Sequence, residues 1–61
     1  MQVEVICTEE ELQEIALDTA TYVGDILEIV EEGTDEGEEI YYFEVRGLRW
    51  IIYKKYCEEV I

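Results

Sequence analysis

Sixty-one residues allow one small domain and no second one. Seventeen Asp or Glu against four Lys or Arg give a formal net charge of −13, yet 49% of the chain is hydrophobic, too much for a disordered acidic tail. The chain has no His, Ser, Asn or Pro, which excludes serine nucleophiles, histidine bases and histidine-containing zinc sites.

The first residues, Met1 to Cys7, alternate apolar and polar at Met1, Val3, Val5 and Cys7, the signature of a strand with one buried face. Ile6 interrupts the outer face and implies contact on that side too. Thr8-Glu9-Glu10-Glu11 fits a helix-capping box, with Thr8 as N-cap and Glu11 three residues on. The acids of the first turn suit the positive end of a helix dipole. Helical spacing of Leu12, Ile15, Ala16, Thr19 and Ala20 predicts a helix near residues 9–19, with Leu12, Ile15 and Ala16 facing the core and Leu17 off that stripe.

Gly24-Asp25 reads as a turn. Ile26 to Val30 reads as a central strand, apolar on both faces. Glu31 to Glu39, with two glycines and six acids, reads as a solvated loop. Ile40 to Val45 predicts a strand with Tyr41, Phe43 and Val45 on one face and Ile40 and Tyr42 on the other. Arg46-Gly47 marks a hairpin tip, Leu48 to Tyr53 the return strand, Tyr53 to Tyr56 one helical or 3₁₀ turn, and Cys57 to Ile61 a last short strand.

Three stretches carry a resemblance. Gly24-Asp25-Ile26-Leu27-Glu28-Ile29, Tyr41-Tyr42-Phe43-Glu44-Val45 and Ile52 to Val60 together resemble the strand, hairpin and 3₁₀ pattern of SH3-like barrels over residues 22–61. The resemblance implies a small barrel. Tyr53 stands where SH3 peptide binders carry a proline, and a capped helix stands where they carry a long hairpin loop. The competing fold is an open antiparallel sheet with the helix packed on one face. The expected class is therefore α+β, a small antiparallel sheet or SH3-like barrel in the order β-α-β-β-β.

The side-chain inventory points away from catalysis. Neither cysteine has a histidine to activate it, and Glu58 and Glu59 oppose a thiolate at Cys57. The two thiols are expected to be free and reduced, in a cytoplasmic protein; no apolar run reaches the length of a signal or a membrane span. The acids of residues 31–39 do not match the calcium-loop spacing. No metal, cofactor or catalytic residue is expected.

What remains is charge and aromatic surface. Residues 1–45 hold 15 acids and no base, whereas Arg46, Arg49, Lys54 and Lys55 crowd into ten residues. Such a field repels phosphate, so direct binding to nucleic acid is not expected, nor is a membrane partner, and the expected partner is a protein with a basic surface. Seven aromatic residues are too many for so small a core. Phe43, Trp50 and Tyr56 are expected to be structural, and Tyr42 and Tyr53 at least half exposed. Composition resembles that of small acidic phage-encoded inhibitors, including DNA mimics, and implies a non-enzymatic antagonist acting through Glu9, Glu10, Glu14, Asp35, Glu36, Glu38 and Glu39. The alternatives are an SH3-like adaptor that binds a basic peptide through Tyr42, Trp50 and Tyr53, and a homo-oligomeric structural protein. A homodimer is expected slightly more often than a monomer, because so small a core rarely suffices alone.

Overall fold

The computed structural model describes all 61 residues. Strands β1 (Gln2–Val5), β2 (Ile26–Asp35), β3 (Glu38–Val45), β4 (Leu48–Tyr53) and β5 (Cys57–Glu59) form one antiparallel sheet in the order β4-β3-β2-β1-β5. Helix α1 (Glu9–Glu14) lies between β1 and β2, and a 3₁₀ turn (Lys54–Tyr56) joins β4 to β5. The arrangement is a small, mostly β fold compatible with a small barrel.

The alternation of β1 fixes the core. Val3, Val5 and Cys7 are buried and pack with Leu12, Leu17, Leu27, Phe43 and Ile52. Ile6 is exposed rather than covered, because β1 carries its partners at its edges and nothing on its outer face. Strand β2 is central, as expected, and its two halves have different partners. Its first half pairs with β1 and its second with β3, and the register shifts by one residue between Ile29 and Glu31. A bulge of this kind bends a strand and lets it serve two sheet halves. Only one face of β2 is covered: Leu27 is buried, whereas Ile26 and Val30 remain about half exposed, at 51% and 52%.

Two sequence expectations fail for local reasons. The helix ends at Glu14 instead of near residue 19. Its capping box forms as read, the Thr8 hydroxyl accepting from the Glu11 amide at 3.2 Å and the Glu11 carboxylate accepting from the Thr8 amide at 2.9 Å. Its other end closes on Ala16, which has a φ of +59°. The Ala16 amide donates to the Gln13 carbonyl and the Leu17 amide to the Leu12 carbonyl, the bond pair of a Schellman motif. The motif brings Leu17 down beside Leu12, so Leu17 is 3% exposed while Ala16 points to solvent.

The stretch Glu31 to Glu39 is not a loop. β2 runs to Asp35 and β3 begins at Glu38, joined by Glu36-Gly37 with φ of +49° and +85°. Positive φ at both central residues is what a type I′ turn needs, and its twist matches paired strands. Arg46-Gly47 repeats the geometry at the β3–β4 tip. Polar composition described exposure here, not backbone conformation.

Candidate protein-binding surfaces

Directly opposed residues share a face of an antiparallel sheet. The register therefore gathers Glu31, Tyr42 and Ile51 on the outer face of β2-β3-β4, next to Gly33, Ile40 and Tyr53, with Asp35 and Glu38 beyond. Tyr42, Tyr53 and two of the candidate acids thus occupy one face, and Trp50 the other. Ile40 is only 1% exposed although it lies on this face, between Gly33 and Tyr53 in register. A Cβ on Gly33 would lie 3.1 Å from the Tyr42 ring, which marks how closely that ring lies over the strand.

Three of the four basic side chains are held on this hairpin system in a repeated arrangement, each between an aromatic ring and a glutamate. The Arg49 guanidinium lies 4.6 Å from the centre of the Tyr42 ring and bonds Glu31 at 2.5 Å. The Lys54 ammonium lies 5.1 Å from the Tyr41 ring and 2.6 Å from Glu32. Lys55 lies 5.2 Å from the Tyr53 ring, 5.7 Å from the Tyr56 ring and 3.4 Å from Glu38. Tyr53 and Tyr56 also meet edge to face. The cations explain why Tyr42 and Tyr53 are less exposed than alternation predicts: both are half-buried under their own cations. Burial pushes the Tyr41 hydroxyl above its ordinary pKa, against the opposing pull of Lys54, and the Glu32 hydrogen bond raises the Lys54 ammonium.

Among the acids, Glu31, Glu32 and Glu38 meet these cations, and Glu28 meets the N-terminal amine at 3.1 Å. The other thirteen have no cation partner. They include Glu9, Glu10 and Glu14 on α1, and Asp35, Glu36 and Glu39 at the β2–β3 tip, all exposed. The α1 set and the tip set belong to separate elements; Glu38 alone of the seven acids is paired. Trp50 packs on the core face opposite Phe43 with its indole N–H buried and unpartnered.

The segment after the helix matches no motif in the sequence. Asp25 accepts from the Thr21 hydroxyl and the Tyr22 amide, each at 2.9 Å, and Gly24 turns the chain with a φ of +93°. Thr21 is buried by this arrangement, whereas Tyr22 is 72% exposed. A groove of about 210 Å³ runs between α1 and this segment, with Leu12 and Thr21, the acids Glu9 and Asp18, and Tyr22 and Val23 along it. An aromatic outside every expected helix and strand, beside a Gly-Asp turn, was the signal available. A second hollow of about 250 Å³ is lined by the hydrophobic residues Ile15, Ile51, Ile52 and Tyr53.

The two cysteines are free. Burial pushes the Cys57 thiol up to about 11, with Cys7 adding to the effect, and Cys7 is raised by burial and then by Glu11. Both are held as neutral thiols, the opposite of what a nucleophile needs. No three acidic or sulfur side chains converge as a metal site, and no helix is long and apolar enough to cross a membrane.

Comparison with known proteins gives no match: no family model, no curated protein and no solved structure matches the chain.

Proposed function

We propose that the protein is a small acidic, non-enzymatic binding protein that antagonises a partner with a basic surface, as a nucleic-acid mimic does. The observation that carries this reading is the segregation of charge. Arg49, Lys54 and Lys55 are each tied to a glutamate on the β2-β3-β4 hairpins and the N-terminal amine to Glu28, which leaves thirteen acids without a cation. Over a surface of 4236 Å², a net charge of −13 amounts to about one negative charge per 330 Å². That is roughly a third of the density of a DNA cylinder, and higher where the acids concentrate. Solubility alone needs a net charge of magnitude only about 2–8. Exposed carboxylates would take the positions of phosphates in the partner's groove, giving fast, salt-sensitive association. Two free, neutral thiols accord with a reducing cytoplasmic setting.

A second reading, an SH3-like adaptor, is favoured by the strand order β5-β1-β2-β3-β4 with β2 shared between sheet halves and a 3₁₀ turn before β5. The fold assignment to an SH3-like barrel rests on this topology. Peptide binding through Tyr42 and Tyr53 is opposed by Arg49 and Lys55, which already occupy their rings.

The test is capture of the partner at low and high salt. Capture is expected to fall steeply as salt rises. A partner held equally well at ~1 M salt, where the Debye length is about 3 Å, would overturn the electrostatic basis.

A further inference from the structure

We infer that the groove between α1 and the Asp18–Val23 segment is a docking site for an arginine or lysine side chain of the basic partner. This deepens the function proposed above and rests on it.

The chain itself supplies the pattern. Tyr41, Tyr42, Tyr53 and Tyr56 each have a cation of this protein near the ring, and each of those cations reaches a glutamate. Tyr22 is the one tyrosine without a cation of its own. It shares its groove with Glu9 and Asp18, and neither carboxylate has a cation partner. Ring and carboxylates are in place there, and the positive charge has to come from outside. Leu12 and Val23 give the groove an apolar lining, which suits the aliphatic stem of a long basic side chain. At about 210 Å³ it accommodates one such side chain and not a folded element.

The presentation of Tyr22 is preorganised. The Asp25 carboxylate accepts from the Thr21 hydroxyl and the Tyr22 amide, and the Asp25 amide donates to the Tyr22 carbonyl at 3.0 Å, so a 72%-exposed ring stands on a hydrogen-bonded turn. Core packing does not require that ring, and the hydrogen-bonded backbone beneath it limits the conformational freedom lost when a cation settles on it.

Calorimetric titration with a blocked hexa-arginine peptide at about 20 mM salt, where charges act over more than 20 Å, tests the assignment. The peptide with citrulline in place of arginine is the neutral control. Parent protein is expected to bind hexa-arginine and not the citrulline peptide. Tyr22→Ala, which changes no charge, is expected to weaken binding about two- to fivefold, the range for a cation on an aromatic face. Asp18→Asn is expected to weaken it more than Glu36→Gln at the β2–β3 hairpin tip, which does not line the groove, although both remove one charge. Unchanged circular dichroism verifies the fold of each variant. Parental affinity in Tyr22→Ala, with Asp18→Asn and Glu36→Gln equal, would overturn the groove while leaving the basic-partner function standing. Failure of the parent to bind hexa-arginine, or equal binding of the citrulline peptide, would overturn both.

Discussion

Ala16 decides where the first helix stops. A residue with a Cβ in the left-handed region costs roughly 1–2 kcal/mol, and here the Schellman bonds and the Leu12–Leu17 burial hold it there. Glycine accepts that conformation without steric cost but loses more freedom on folding. The steric relief is the larger effect at a φ of +59°. Ala16→Gly is therefore expected to stabilise the protein by about 0.5–1 kcal/mol, measured by urea denaturation at equilibrium. A loss of stability would show that the Ala16 conformation carries no strain. The same residue explains why the helix end was not legible. Alanine is the best helix former and gives no stop signal, so periodicity ran on to Thr19 and Ala20. The Thr8 capping box was legible because its two partners are local and of specific chemistry.

At the scale of elements, the readable parts were those set by local pattern: the alternation of β1, the Arg46-Gly47 tip, the 3₁₀ turn after β4 and the short β5. What could not be read was decided by partners distant in sequence. Glu31 to Asp35 become strand because aromatic β3 and the cations Arg49 and Lys54 lie beside them. Tyr42 and Tyr53 are half-buried for the same reason. The closing pair β1–β5 has a chemical signature of its own. It brings Cys57 opposite Val5, near Cys7, and both thiols are raised in pKa by burial. A group with a raised folded pKa binds more protons folded than unfolded in the interval between the two values, so stability falls with pH there. For Cys57 the contribution is complete below about pH 9 and is lost as pH climbs through about 11. Tyr41 and Tyr56, also raised mainly by burial, act in the same direction. Denaturation midpoints should therefore hold steady from pH 7 to 9 and decline above it. A Cys57→Ala variant should show a shallower alkaline decline than the parent; an identical decline would remove Cys57 as a cause.

For the whole molecule, charge distribution is the feature that folding does not require. Thirteen unpaired acids repel one another in the compact state, a cost that grows as salt is removed. The candidate acids were visible in the sequence as residue types, but their grouping was not. The register shows that Asp35 and Glu38 share a face with Tyr42 and Tyr53, while Glu9, Glu10 and Glu14 lie on α1. The sequence contrast between an acidic face and an aromatic face is thus replaced by a contrast between free acids and tyrosines already paired with cations. The most direct measurement is partner capture by three folded variants beside the parent: Glu10→Lys with Glu14→Lys on α1, Glu36→Lys with Glu39→Lys at the hairpin tip, and Tyr42→Ala with Tyr53→Ala. Charge reversal of at least one acidic pair is expected to abolish capture, and the tyrosine pair is expected to retain it. Capture that survives both reversals and is lost only with the tyrosines would contradict function through the acidic surface.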